Sequence, residues 1–533
     1  MVPNQQVYMG RRPVISSSLA NTPCSSLGIQ GLLDKFNTTL GTSYTLDTPS
    51  VCSTLKDYIS QKYDFGTAYG HLRKTWCDQS QQSTIQTELR ECEARDIELQ
   101  KRPLPKKPPR RVWDLCNNRV VPWWSCKAIF HLNDEQQPIS HAWVNEVDRV
   151  DVWTPINGYE WPAPIPKGAN LDLICIEMLN LGVEYTWLDV LCLRQKGGPS
   201  EDLRVEEWKM DVPTIGAIYI SAFVVWYLSR LGLPLSLKKG DLDSDWSWFR
   251  RAWTAQEVGQ RRTIAGDTPG GPLHAKPIDD TGNYADEILT KFHKQLKSVK
   301  ITSTPKLCPL YGMLSMMQNR ISTYPIDKVA GLAFSMETQS FSPYYECQSL
   351  EDAWTALVNV MNMSYRSTLV FTYPKPGTGC RKWRPLWEQV MTKSLPNLAC
   401  WIKESIGRDD DDDCYQGLSI ERGFVHGLMV GGVEGIDRCG KLVVEDAVGM
   451  SHTFNILASH QYPIPGDTYT LLGADPMIPL DGQILLSLQY WVVGRRLPNN
   501  MFEKVSVFKM TDSDEIQRLK EPDLSTRSRS ILA

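Results

Sequence analysis

Residues 185–195, YTWLDVLCLRQ, constrain the fold more than any other stretch of this chain. Residues 185–191 are aromatic, β-branched or aliphatic except for Asp189, the pattern of a buried strand. The run before them reads as a helix over 170–182. Leu171, Ile174, Cys175, Met178 and Leu179 recur at three- and four-residue steps and make one apolar face. Asn170 can cap its start, and Gly182 can end it in the left-handed conformation. Helix, tight turn and buried strand form half of an α/β unit, and ligands of such sheets gather at the carboxyl ends of the strands. Asp189 and Gln195 therefore stand where a site would be.

The same alternation runs through residues 139–266. ISHAW (139–143) reads as a strand end entering a loop. Residues 205–219 read as a helix split by Pro213, residues 223–228 as a second buried strand, and residues 245–258 as a Trp-rich helix. This predicts a parallel sheet with crossover helices. Upstream, residues 28–40 and 84–99 read as amphipathic helices, and 63–76 as a packed, Gly-containing turn region. Residues 101–111, KRPLPKKPPRR, hold four Pro and six Lys/Arg and read as a stiff, solvated spacer. Downstream, residues 306–320, 327–334 and 351–365 read as helices. The five Asp at 409–413 read as a solvated loop rather than a cation site. After Arg422, short strands separated by Gly, Asp and Pro predict an antiparallel β-rich domain. The expected divisions are a helical region 1–98, a linker 99–112, an α/β domain 113–300, a helical region 301–400 and a β-rich domain 401–533.

Several function classes drop out. The net charge of −4 supplies no basic footprint, so nucleic acid is not the expected partner. The 14 Cys are scattered without a C-x-x-C pair and read as reduced thiols, with no metal-ligand spacing. The N-terminal residues lack the apolar run of a signal peptide, and the longest uncharged apolar stretch, 215–229, is too short for a span. A cytoplasmic protein with no membrane contact is expected. The signatures of P-loop hydrolysis, α/β-hydrolases and zincins are absent.

Three blocks concentrate polar groups in apolar frames: Ser140 and His141 in ISHAW, Asp189 to Gln195, and RRAWTAQE at 250–257. On a helix, Trp253 and Glu257 would share a face. A carboxylate beside a large aromatic near a cleft is desolvated and suited to acid/base work or to binding hydroxyls. Each also has a structural reading. His141 can be a bonded core residue, Asp189 a cap or an ion-pair partner of Arg194 or Arg251, and Glu257 a surface helix residue.

In order and spacing, ISHAW, YTWLDVLCLRQ and RAWTAQE closely resemble the heterokaryon incompatibility (HET) domain of filamentous fungi, and RISTYPIDK at 320–328 looks like a stretch often found downstream. The resemblance covers about a quarter of the chain. It keeps Ser140, Trp143, Asp189, Gln195, Arg251, Trp253, Thr254, Gln256 and Glu257. His141 stands where Tyr is usual, Val144 where Gly is common, and Leu193 and Arg194 where Ile and Asn are common. The resemblance implies a TIR-like, flavodoxin-like parallel sheet core in a protein of non-self recognition and programmed cell death. Through that distant TIR likeness it also implies cleavage of NAD as substrate, with no resident cofactor and no metal. Glu257 would be catalytic, with Ser140, His141, Trp143, Asp189, Gln195, Arg251, Trp253 and Gln256 around the ligand. The competing expectation is a silent module that self-associates and binds a partner protein.

Overall fold

The computed structural model describes residues 2–77, 84–104, 106–126, 137–220, 223–302, 309–336, 338, 340, 342–379, 381–397, 401–403, 405–409, 412–477 and 488–533. The chain mixes helices and sheets and divides into two compact units. The first comprises Met1–Ser303, Arg320–Phe334 and Ser340–Cys347; the second holds the remainder, including Gln348–Ala533.

In the first unit, helices Cys24–Leu40, Pro49–Ser60, Phe65–Trp76 and Ile85–Lys101 pack around Leu32, Phe36, Leu55, Phe65, Leu72 and Trp76. The turn expected at 63–76 is instead a helix, capped by Asp64, whose carboxylate accepts Thr67 N–H at 2.8 Å. Its glycines serve close packing rather than turning. A Cβ on Gly66 would lie 2.9 Å from Ala20 Cβ, and one on Gly70 would lie 2.3 Å from Asn117 Nδ2. Of the basic stretch after these helices, Lys101–Leu104 and Lys106 are exposed as expected of a spacer, but the part from Lys107 onward is not solvated. Lys107 and Arg110 pair with Asp211, and Arg111 pairs with Glu207 at 2.7 Å. Helix Glu201–Asp211 supplies both carboxylates and so holds the segment down.

The helix Leu171–Asn180 forms as its pattern predicts. Asn170 Oδ1 accepts the Asp172 and Leu173 N–H groups, and Gly182 takes φ +84°. The strand after it is shorter than expected. Only Tyr185–Thr186 is strand, and Asp189–Cys192 is a helical turn. Asp189 Oδ1 accepts the Val190 N–H at 2.7 Å, which turns the backbone out of the extended state. Tyr185–Thr186 pairs antiparallel with Arg111–Asp114. On its other side it runs parallel to 137–139, with Ile139 N donating to Trp187 O at 2.9 Å and Gln137 N to Tyr185 O. Ile139–His141, Phe223–Tyr227 and Arg261–Ile264 continue the parallel pairing. Among its four parallel strands the order is therefore second, first, third, fourth in chain sequence, with Arg111–Asp114 and Arg119–Pro122 added antiparallel at the edge.

The segment 245–258 is not a helix. It forms two 3-10 turns, Trp248–Arg250 and Trp253–Ala255, on either side of an extended Arg251. Backbone groups a helix would use are taken elsewhere. Ala252 N donates to Ile321 O at 2.8 Å and Ile321 N donates to Arg250 O at 2.6 Å. The Thr254 hydroxyl closes the turn by donating to Trp248 O at 2.6 Å. The helix split at Pro213 is present, as Glu201–Asp211, Val212–Thr214 and Ile215–Tyr219.

In the second unit the β-rich expectation holds. Asp412–His426, Arg438–Glu445, Ser451–Ala458, Met501–Met510, Gln489–Leu497 and Asp467–Ala474 pair antiparallel in that order. The last pairs back to the first, which closes a six-stranded barrel. Leu442, Phe454, Ile456, Leu471, Trp491 and Phe508 belong to its core. The helix expected at 351–365 is two helices, Leu350–Val360 and Met363–Thr372. Asn362 breaks it, because its side chain caps the second helix through the Ser364 N–H at 2.8 Å. In the acidic run, Asp410 and Asp411 lie outside the described residues. Asp409 and Asp412 end two paired strands with exposed side chains, but Asp413 is fully buried among Arg366, Arg381 and Arg384 rather than solvated.

Candidate functional site

In the first unit a cavity of about 600 Å³ opens beside the parallel sheet. Its wall is aromatic, built from Trp143, Trp187, Trp208, Trp246, Trp253 and Tyr219 among others. Of the residues singled out in the sequence, His141, Trp143, Asp189, Gln195, Arg251, Trp253 and Glu257 line it together. They come from separated stretches that the sheet and the bridge at Arg251 bring to one place. His141 ends one strand, and Trp143 and Asp189 follow the carboxyl ends of two, as expected. Glu257 instead precedes the strand Arg261–Ile264.

Ser140 stands behind the wall rather than in it. Its side chain leaves the strand toward Glu257, where the hydroxyl donates to Oε2 at 2.5 Å, and it accepts the Trp248 indole N–H at 2.8 Å. The Glu257 carbonyl accepts the Trp226 indole N–H at 3.2 Å. Gln256 does not line the cavity, against expectation. Its Oε1 lies against Gly216, where an added Cβ would come within 2.7 Å. In a 3-10 turn, Gln256 and Glu257 diverge. Gln195 braces the loop, its Nε2 donating to Asp189 O at 3.0 Å and Leu193 O at 2.7 Å.

Asp189 pairs with His141, not with Arg194 or Arg251. His141 Nε2 meets Asp189 Oδ1 at 2.8 Å, and the Trp143 indole N–H donates to Oδ2 at 2.7 Å. Burial works against charge on both partners, but their attraction outweighs it. His141 is held above its ordinary pKa, and Asp189 below its own. Glu257 is the opposite case. Burial pushes its carboxyl up to about 7, and nearby Asp189 adds to this. The Ser140 hydrogen bond and the charges of His141 and Arg320 oppose it only in part. The cleft thus holds one carboxylate kept ionised and one poised near neutrality, the arrangement that separates acid and base roles.

Asp327 is the site residue that sequence reasoning left without a role, although it stands in RISTYPIDK. It lines the cavity, accepts the Tyr344 hydroxyl at 2.9 Å, and is pushed to about 6 by burial. Tyr344 lies well downstream of every block, so no local pattern could have found that contact. Among the described residues no cluster of three His, Cys, Asp or Glu could hold a metal, and no helix is long and apolar enough to cross a membrane.

Fold and site together define a two-unit protein whose α/β unit carries an aromatic cleft lined by Asp189, Glu257 and Asp327. No family model, curated protein or solved structure matches the chain.

Proposed function

We propose that this chain is a cytoplasmic HET-domain-like protein of fungal non-self recognition and programmed cell death. Its cleft cleaves NAD to nicotinamide and ADP-ribose. The observation that carries this reading is Glu257, a carboxyl buried at the edge of an aromatic cavity large enough for a dinucleotide-sized ligand. In its ionised form Glu257 holds ribose hydroxyls and stabilises the oxocarbenium-like transition state as nicotinamide departs. The His141–Asp189 pair and Trp143 fix the facing wall. A TIR-like, flavodoxin-like core is part of the proposal. Its support is the order second, first, third, fourth of the four parallel strands, which matches the first four strands of that fold.

The test is nicotinamide release from NAD by the purified full chain, wild type beside Glu257→Gln. Release by wild type, lost in the variant, supports the reading. No release at any concentration, including in forced oligomers, removes it.

A second reading, a silent module that binds a protein partner or itself, has its own observation. Met429, Val430, Val433 and Ile436 expose apolar side chains on one loop of the barrel unit. Under that reading NAD is neither bound nor cleaved, and substituting these four with Ser or Asn abolishes assembly.

A further inference from the structure

A buried guanidinium without an anion is costly and calls for an occupant. The buried arginines Arg119, Arg194 and Arg204 of the first unit each hold a carboxylate, Asp64 at 2.8 Å, Glu160 at 2.7 Å and Glu201 at 2.5 Å. Among the described residues Arg320 has no carboxylate partner; its Nη1 donates to Arg251 O and Thr254 Oγ1, but it does not line the cleft. Arg251 differs from all of them. It is only 6% exposed and it lines the cavity. Among the described residues no carboxylate forms an ion pair with it, and its one side-chain hydrogen bond is to Thr323 Oγ1 at 2.9 Å.

Five N–H donors with one partner leave a fork directed at open space. None of the Arg251 nitrogens is sealed away from the cavity without a partner. The position is rigid as well. The bridge to Ile321 fixes the backbone, and the guanidinium stacks on Trp246 with 5.6 Å to the ring centroid. Glu257, Asp327 and Asp245 act on Arg251 only at longer range, and the first two have carboxyls raised by burial.

We propose that Arg251 is an anion anchor: the cleft takes a phosphate-bearing nucleotide whose phosphate docks on the guanidinium fork while its ring stacks on the aromatic wall. The planar fork matches phosphate oxygens two at a time, and rings such as Trp246, Trp143 and Trp253 offer faces to a heteroaromatic base. The inference rests on the reading above only in naming NAD as one such nucleotide, whose diphosphate it then seats.

The experiment is calorimetric titration of the full chain at pH 7 with ADP, inorganic pyrophosphate, adenosine and malonate. The expected result is binding of ADP and pyrophosphate, with adenosine at least tenfold weaker than ADP and malonate unable to displace ADP at equal concentration. Arg251→Gln weakens ADP at least tenfold and leaves adenosine unchanged, and Arg251→Lys falls between, because it keeps charge but loses the fork. Adenosine binding as tightly as ADP overturns the proposal without any variant. So does ADP affinity unchanged in a folded Arg251→Gln, or displacement of ADP by malonate. NAD cleavage on the same samples separates the two ideas. Arg251-dependent ADP binding without cleavage sustains the anchor and removes the hydrolase. Cleavage with an unchanged KM in Arg251→Lys and Arg251→Gln does the reverse.

Discussion

The Ser140 hydroxyl donates to Glu257 Oε2 at 2.5 Å, a bond made across more than a hundred residues between one strand of the parallel sheet and the approach to another. Among the described residues it is the one direct side-chain hydrogen bond on a carboxyl that burial raises to about 7. The bond favours the ionised form, so its loss has a defined sign. In Ser140→Ala the Glu257 carboxyl moves higher, by about one pH unit or more for a charge-assisted bond worth roughly 1.5–3 kcal/mol. The acid limb of the pH profile for nicotinamide release shifts upward, as does the carboxyl titration followed by carbon-13 NMR. An unmoved titration would show that the bond does not govern Glu257.

Glu257 also costs stability. Its folded-state pKa, about 7, lies above the ordinary 4.5, so between those values the folded chain holds more protons than the unfolded chain. Stability from this group is present below pH 4.5 and declines as pH rises toward 7, by on the order of 2–3 kcal/mol. Glu257→Gln escapes that decline. At pH 8 the variant melts at a temperature equal to or above wild type, while nicotinamide release falls by about a hundredfold or more. A variant less stable at pH 8 than wild type would contradict the sign.

Lys504 gives a pH dependence of opposite slope. It is 1% exposed, and Nζ donates to Val370 O at 2.7 Å near the end of helix Met363–Thr372. Burial lowers its pKa from 10.5 to about 7, so between these values the unfolded chain holds the extra proton. Its contribution is fully present above pH 10.5 and is lost as pH falls to 7. Denaturant midpoints at pH 7, 8.5 and 10 should rise more steeply in wild type than in Lys504→Met. Equal slopes would remove Lys504 from the balance.

Asp413 and Asp412 are neighbours with opposite fates. Asp413 is fully buried between Arg366 and Arg381 and accepts the Trp383 indole N–H at 3.2 Å. Asp413→Ala strands buried guanidinium groups and costs about 3–5 kcal/mol. Asp412, with its side chain 58% exposed, loses about 0.5 kcal/mol or less on the same change. Urea denaturation of both variants checks the contrast, and equal losses would refute it.

Local chemistry was legible where one residue decides one backbone state. Asn170 caps and Gly182 ends the helix between them, Pro213 splits its helix, and most strands read after Arg422 form, although the one read at 425–432 ends at His426 and gives way to a loop. Of the candidate site residues, seven line the cleft: His141, Trp143, Asp189 and Gln195 at or after strand carboxyl ends, where side chains emerge toward a ligand, and Arg251, Trp253 and Glu257 through the turns that the bridge to Ile321 holds there. The misreadings share one cause, which is competition from distant partners. Residues 245–258 carry a helical pattern, but Ile321 takes backbone groups that the helix would use. Asp413 looks like one of five solvated acids until Arg366 and Arg381 fold around it.

The sequence by itself determined those elements whose caps, breaks and apolar periodicity act within a few residues, such as the helix Leu171–Asn180, and it marked the three blocks that meet. Only the tertiary structure decided what those blocks do to one another. It set Ser140 on Glu257, paired His141 with Asp189, turned Gln256 aside and left Arg251 without an anion. The physical reason is that desolvation and charge pairing depend on neighbours brought from far along the chain, which no local pattern encodes.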